Sequence, residues 1–297
     1  MKATHYASII SLLTTLGWNV SCRSVANDED EGGSDLSIVG GTTVRVNERF
    51  ARHTVAIIET KPEIDAFCTG VLIAPDIVLT AAHCFREKHL KVALYFSTKL
   101  PSQAPVDDPN LVTIKKVLPH PDFDAKGLDR LDKSIAKIVK AEKVKERLLL
   151  PGTPINDLAL VYFEAKLPKR YVPVPLSNEE PNFNSALTTA GYGCLSTVCD
   201  ELSNRLRKVD MTFVRIERAA SLIQLSAGKN KGACPGDSGG PDYINLGKDK
   251  GLELLAIVDT GPESCESGIS IDTLIAPYRD WIESSSEALR QSAGDSQ

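Results

Sequence analysis

The sequence predicts an all-β fold for most of this 297-residue chain. Short apolar runs recur from residue 54 to residue 258, and turn-forming pairs such as Pro75-Asp76 separate them. Many short strands with such turns are typical of a β-sandwich or a β-barrel. The composition, 42% hydrophobic and 25% charged, is ordinary for a globular protein, and the net charge of −5 gives no reason to expect nucleic acid as a partner.

The predicted strands fall into two groups along the chain. The first group comprises residues 54–58, 70–73, 77–80, 90–96 and 111–118. The second group comprises residues 158–163, 186–192, 206–216 and 252–258. We therefore predict one large β domain over residues 38–283.

The first 22 residues have the features of a secretion signal. Lys2 precedes an apolar run over residues 7–16 that is too short to cross a membrane as a helix, and Ser21 directly precedes Cys22. A small residue before a cysteine resembles a bacterial lipoprotein site with a lipidated cysteine; an ordinary signal peptide is the alternative. Residues 23–37 are acidic and contain glycine, which favours a flexible linker or propeptide. We expect an extracytoplasmic protein, either secreted, periplasmic or anchored to the outer membrane of a bacterium.

The most specific motif is Gly236-Asp237-Ser238-Gly239-Gly240. Its glycines leave Ser238 uncrowded and let the backbone approach a substrate closely. The N–H groups of Gly236 and Ser238 can then point at one spot. This is the arrangement that a nucleophilic hydroxyl needs beside an oxyanion hole.

A nucleophilic serine also needs a base and a carboxylate that orients the base. The segment Thr80-Ala81-Ala82-His83-Cys84 offers His83 as the base, and Asp157 leads directly into an apolar strand. Asp122 and Asp124 are rival carboxylates. The other histidines of the domain lack this context, and we interpret them as surface or structural residues: His53, His89 and His120.

The order His83, Asp157, Ser238, together with these motifs, resembles the trypsin/chymotrypsin-like serine peptidases over about residues 38–282. The resemblance implies two six-stranded antiparallel β-barrels with the active site between them. It also implies a closing helix around Trp281, followed by a polar tail over residues 284–297. His83 would be the general base, Asp157 its orienting carboxylate, Ser238 the nucleophile, and the N–H groups of Gly236 and Ser238 the oxyanion hole.

The chain has seven cysteines, and the same resemblance implies how four of them pair. It implies that Cys68 pairs with Cys84 and that Cys234 pairs with Cys265. Two cysteines close in sequence, Cys194 and Cys199, remain for a local pair. Lipidation of Cys22 would account for the odd cysteine, although sequence by itself does not determine connectivity.

The resemblance also implies activation by proteolysis. A cut before Ile38 in Ile38-Val39-Gly40-Gly41 would free an ammonium group that pairs with Asp237 and orders the oxyanion hole. A buried carboxylate is costly unless it is paired, so an unprocessed chain should leave this region poorly ordered. The residue before the cut is Ser37, so we do not expect trypsin to be the activating protease.

The specificity pocket is predicted to be uncharged and open. Gly232 stands where trypsins carry the aspartate that binds Arg or Lys, and Gly261 and Gly268 stand on the pocket walls. We therefore expect large apolar or aromatic residues before the scissile bond. Nearby acidic side chains offer an alternative, a preference for basic residues: Asp259, Glu263 and Glu266.

One segment departs from the family, a predicted basic helical insertion over residues 126–150. Leu128, Leu131 and Ile135 recur at helical spacing among lysines. Such a helix either docks a partner or an acidic membrane surface, or packs on the barrel.

The function expected from these observations is that of a secreted, monomeric serine endopeptidase acting on proteins or peptides. We expect neither a cofactor nor a metal, because no histidine pair has ligand spacing. The alternative is an inactive, peptidase-like binding protein. Asp259 favours the alternative, since it replaces a serine of the family and would place a second carboxylate near Asp157.

Overall fold

The computed structural model describes residues 38–60, 64–86, 91–101, 107–140, 152–196, 203–247, 251–262 and 264–294. The predicted signal, Cys22 and the linker up to Ser37 lie outside these ranges. A short strand, β1 (Thr42–Thr43), leads into the domain and pairs with a strand of the second barrel. None of the helices in the described ranges is long and apolar enough to cross a membrane.

The first half of the domain is a closed antiparallel barrel. Its strands are β2 (Thr54–Thr60), β3 (Ile64–Ala74), β4 (Ile77–Thr80), β5 (Val92–Tyr95), β6 (Leu111–Pro119) and β7 (Ala159–Phe163), in the spatial order β2-β3-β4-β7-β6-β5. Alternating side chains fill its interior, including Val55, Ile57 and Leu79, all completely buried. Closing the sheet removes its edges, and this makes the barrel a firm support for residues at strand ends.

The second half is also a six-stranded barrel. Its strands are β8 (Leu187–Gly191), β9 (Arg207–Glu217), β10 (Leu222–Ser226), β11 (Pro241–Asn245), β12 (Leu252–Thr260) and β13 (Ile269–Leu274). The spatial order is β9-β10-β13-β12-β11-β8, and pairing of β8 with β9 closes the ring. The prediction of two six-stranded antiparallel barrels is therefore confirmed.

Every strand predicted from the sequence overlaps an observed strand, β2 to β9 or β12. The strands that were not predicted are β1, β10, β11 and β13. Both β11 and β13 contain buried aspartates, Asp242 and Asp272, which interrupt the apolar pattern expected of an interior strand.

Two helices flank the barrels. Helix α1 (Ala125–Lys140) begins after Asp124, whose Oδ1 accepts the N–H of Gly127 at 2.9 Å. It falls in the predicted insertion, of which residues 141–150 lie outside the described ranges. Its apolar face packs on the second barrel rather than being left open, since Leu131 and Ile135 cluster with Ile269.

Helix α2 (Arg279–Gly294) closes the chain and corrects one prediction. The polar tail expected over residues 284–297 is helical as far as Gly294. The reason is tertiary packing, since Leu289 is buried in the core and Arg290 pairs with Asp76 at 2.7 Å.

Candidate active site

His83 and Ser238 line the same cleft, which has a volume of about 890 Å³. His83 lies in a short 3-10 helix, Ala82–Phe85, directly after β4. Ser238 lies in the turn that leads into β11. The cleft thus receives one group from each barrel.

The backbone at Gly239 packs closely against the segment before His83, and this brings Ser238 near the imidazole. Gly239 has a φ of +75°, and a Cβ there would lie 2.6 Å from the backbone nitrogen of Ala81, two residues before His83. Only glycine tolerates both the conformation and the contact. The carbonyl of Ser238 accepts the N–H of Thr69 at 2.9 Å, which fixes the turn against β3.

Asp157 holds His83 through two hydrogen bonds. Its Oδ2 accepts from Nδ1 of the imidazole at 2.6 Å, and its Oδ1 accepts the backbone N–H of His83 at 2.8 Å. Asn156 has a φ of +55°, a left-handed conformation that asparagine tolerates, and its side chain accepts from the hydroxyl of Tyr278 at 2.8 Å. This anchored turn presents Asp157 to the imidazole and leaves Nε2 directed away from the carboxylate.

The charges around the imidazole strengthen it as a base. Burial of His83 works against protonation, but the charge and hydrogen bond of Asp157, with a further contribution from Asp132, raise the pKa of His83 above its ordinary value. Asp157 is completely buried and its two oxygens both have N–H partners, which compensates the carboxylate for its loss of water.

The backbone beside Ser238 has two donors without internal acceptors. Within the described residues, the N–H groups of Gly236 and Ser238 form no hydrogen bond, whereas the N–H of Asp237 between them donates to the carbonyl of Cys234 at 2.9 Å. Gly236 has a φ of +97°, and its carbonyl accepts from the hydroxyl of Thr69 at 2.9 Å. Both bonds lie on the peptide unit between Gly236 and Asp237. The units that carry the free N–H groups are fixed separately, since the carbonyl of Pro235 accepts the N–H of Cys194 and that of Asp237 accepts the N–H of Gly240, each at 2.8 Å. The free donors can then serve a substrate oxygen.

Both disulfides implied by the resemblance are present. Cys68–Cys84 joins β3 to the helical turn of His83, and Cys234–Cys265 joins the turn before Ser238 to the segment before β13. Cys194 is also disulfide-bonded, and its predicted partner Cys199 lies outside the described residues.

Both residues of the predicted activation pair are buried in the continuous chain, in which Ile38 has no charged amine. Ile38 is fully buried in the apolar cluster of the second barrel. The carboxylate of Asp237 is also fully buried and accepts the N–H groups of Gly193 and Cys234, each at 2.8 Å. Burial raises the pKa of Asp237 to about 7 despite these two hydrogen bonds.

The four residues expected in the specificity pocket divide into two pairs. Asp259 and Gly261 line the cleft. Gly232 and Gly268 are not among its lining residues; they pack against each other, and a Cβ at Gly232 would lie 2.6 Å from the carbonyl oxygen of Cys265. A side chain at 232, such as the aspartate of trypsins, therefore has no room in this arrangement.

The three acidic residues offered as alternatives in the specificity pocket lie in different places. Asp259 is 3% exposed and its Oδ2 accepts from the hydroxyl of Thr273. Burial, followed by the charge of Asp157, raises the pKa of Asp259 well above its ordinary value, which favours a neutral acid. Glu266 is exposed and is not a lining residue, and Glu263 lies outside the described ranges.

The rival carboxylates and histidines lie elsewhere. Asp122 is exposed, and Asp124 caps α1. Among the remaining histidines, His53 bonds to the carbonyl of Val172 at 2.7 Å, and the ring of His120 contacts that of Trp281 in a tilted arrangement. His89 lies outside the described ranges.

Sequence reasoning missed the contribution of α1 to the cleft. Leu128, Asp132, Lys133 and Ala136 line it, as does Arg86 after His83. The apolar spacing of the helix was recognised, but that pattern identifies the face that packs and carries no information about what the polar face approaches.

A family model described as Trypsin matches residues 38–282. Granzyme M of Rattus norvegicus is 27% identical over 266 residues, covering 84% of this chain and 88% of that protein. Granzyme M of Homo sapiens is 30% identical over 230 residues, covering 72% and 77%. Kallikrein 1-related peptidase b27 of Mus musculus is 27% identical over 217 residues, covering 69% and 74%. These relatives are mammalian and give no support to the expected bacterial lipoprotein type.

Proposed function

This chain belongs to the trypsin family of serine peptidases, and we propose that it hydrolyses peptide bonds through a triad of Ser238, His83 and Asp157. The observation that carries the proposal is the imidazole of His83, held by Asp157 on one side and sharing a cleft with Ser238 on the other. Proteins or peptides are the substrates of such an enzyme.

The geometry supports the following chemistry. Nε2 of His83 takes the proton of the Ser238 hydroxyl as Oγ attacks the carbonyl carbon of the peptide bond. The resulting tetrahedral oxyanion accepts from the N–H groups of Gly236 and Ser238, which have no competing acceptor in the described residues. The imidazolium then gives its proton to the leaving amine, and the C–N bond breaks to leave an acyl-enzyme. A water molecule, deprotonated by His83, releases the acyl group and regenerates Ser238.

Activation by a cut between Ser37 and Ile38 is the second part of the proposal. Ile38 has a φ of +36°, a left-handed conformation that is costly for a β-branched side chain. Breaking the Ser37–Ile38 bond abolishes that constraint, since φ is then no longer defined by a peptide. The new ammonium group gives the buried Asp237 a cationic partner, which lowers the cost of its charge.

Substrate preference and location complete the proposal. Leu128, Val258 and Ile269 line the cleft, which supports large apolar or aromatic residues before the scissile bond. We further propose an extracytoplasmic, monomeric enzyme. If Cys22 is lipidated, the cut before Ile38 also releases the domain from its anchor; active enzyme that still carries lipidated Cys22 would contradict this.

The test uses the domain produced with Ile38 as its free N-terminus. We expect one fluorophosphonate adduct by intact mass, absent in Ser238→Ala, and much slower labelling of a chain that retains residues 23–37. A folded protein with no adduct would instead support the inactive binding protein. Equal labelling of the processed and extended chains would contradict the activation step alone.

A further inference from the structure

Helix α1 forms a wall of the cleft and is attached to both barrels. On the side of the second barrel, Leu131 and Ile135 pack with Ile269. On the side of His83, Arg86 donates to both oxygens of Asp129, at 2.8 and 3.3 Å. The helix is therefore held in place across the cleft, and a peptide that reaches Ser238 must pass its polar face.

The charged side chains on this face differ in whether they are directly paired with an opposite charge. The two cations that line the cleft, Arg86 and Lys133, both have Asp129 as a charge partner, through the two hydrogen bonds of Arg86 and the favourable charge interaction of Lys133. Asp132 lines the cleft as well, and its hydrogen bond comes from a neutral group, the hydroxyl of Thr260, at 2.5 Å. Arg86 also has a favourable charge interaction with Asp132. In the part of the chain that the structure describes, however, Asp132 forms no ion pair.

The position of Asp132 suits a substrate side chain. The residue is exposed, so its carboxylate can accept a new donor without losing much solvation. It lies close enough to His83 for its charge to act on the imidazole. One carboxylate is too few for a calcium or magnesium ion, which takes six or more oxygen ligands or a shell of ordered water.

We propose that Asp132 is a specificity-determining residue, which selects peptide substrates that carry Lys or Arg close to the scissile bond. The selected position lies next to the cleaved bond, since Asp132 accepts from Thr260, which directly precedes the cleft residue Gly261. The inference rests on the proposed function and adds a charge preference to the apolar preference described above.

The experiment compares pairs of fluorogenic peptides that differ only by Lys or norleucine at one position, for several positions on each side of the cleaved bond. The enzyme has a free Ile38, and rates are measured at a pH of about 8, where an imidazole is largely neutral. The readout is the ratio of kcat/KM within each pair, so a general change in activity cancels. Asp122→Asn is the matched control, since it removes an exposed carboxylate outside the cleft.

We expect a ratio of about 5 in favour of Lys at one position, falling toward 1 in about 0.5 M salt because exposed charge pairs are weak and screened. Asp132→Asn should abolish the preference, Asp132→Lys should reverse it, and Asp122→Asn should retain it. Cleavage with no charge preference, or with a preference that survives Asp132→Asn, would overturn this inference and leave the proposed function standing. A failure to cleave any peptide, with no fluorophosphonate adduct, would overturn both.

Discussion

Asp157 and three aspartates of the second barrel are all buried, yet their surroundings differ. Both oxygens of Asp157 accept N–H groups of His83. The other three have hydroxyl donors on one oxygen, from Thr189 to Asp242, from Thr273 to Asp259 and from Ser270 to Asp272. In the described residues their second oxygens have no hydrogen-bond donor: Asp242 Oδ2, Asp259 Oδ1 and Asp272 Oδ2.

This comparison shows how burial decides between the charged and the neutral acid. A carboxylate without water keeps its charge only when donors or cations replace the water. Each barrel aspartate has a hydroxyl donor on one oxygen only. Burial raises the pKa of both Asp259 and Asp272 well above the ordinary range, with a further contribution from the charge of Asp157 at Asp259 and of Asp242 at Asp272. The side chains of Asp272 and Asp242 lie within hydrogen-bond reach, so a proton on Asp272 can be donated to Asp242.

The largest effect on activity is expected from a substitution of Asp157. Asp157→Asn replaces an acceptor of the Nδ1 proton by an amide and removes the charge that stabilises the imidazolium. We expect kcat to fall by roughly 10³–10⁴-fold in an otherwise folded domain. Steady-state hydrolysis of a peptide ester measures this, with thermal melting as the control for folding. A loss of less than about 10-fold would mean that Asp157 does not orient the catalytic base.

Asp242→Asn tests whether a buried aspartate of the second barrel is protonated in the fold. The pKa of Asp242 is raised by burial to about 7, above its unfolded value of about 3.9. The folded chain therefore holds a proton that the unfolded chain releases, and stability falls as pH rises from about 4 to about 7.

Asparagine removes this titration and still offers an N–H to Asp272. We expect Asp242→Asn to be more stable than the parent by about 2 kcal/mol at a pH of about 8, with the difference shrinking toward a pH of about 4. Urea unfolding across this range measures the effect, with Asp122→Asn as the exposed control. A difference that does not depend on pH would show that Asp242 is ionised in the fold.

The pH profile of activity tests how the carboxylates near His83 affect its pKa. His83 must be neutral to act as a base, and its pKa is raised. We expect kcat/KM to fall about tenfold per pH unit below that pKa, with the acid limb above the position of an ordinary imidazole at about 6.5. Removing the charge of Asp132 should move the limb to lower pH, whereas Asp122→Asn should leave it in place.

The smallest effect is expected where charges are paired in water. Arg290 binds both oxygens of Asp76, at 2.7 and 2.8 Å, but the two side chains are 40% and 30% exposed. Arg290→Ala should lower the free energy of unfolding by less than about 1 kcal/mol. Leu289→Ala, on the same helix, should cost about 3 kcal/mol because it leaves a cavity. Chemical denaturation of both variants tests the contrast, and equal losses would contradict it.

The strands that the sequence revealed are those whose apolar residues reflect their burial directly. The four residues of β4, Ile77–Thr80, are all buried, and the strand matches the prediction residue for residue. Strand β13 was missed although all of its side chains are buried, because Ser270, Asp272 and Thr273 interrupt its apolar pattern. The hydroxyl of Thr273 finds its acceptor, Asp259, only when β12 and β13 pair in the barrel. A pattern of hydropathy cannot record such partners.

The sequence by itself identified the serine motif, the histidine motif and their order, because close turns and small residues leave a local signature at Gly236–Gly240 and Ala81–Cys84. The tertiary structure alone decided which charges those residues meet. Asp132 reaches the cleft only because α1 packs across it, and Asp259 is pushed toward its neutral form only because the barrel excludes water and places Asp157 nearby. Electrostatic environment depends on distance and burial, and residues far apart in sequence set both.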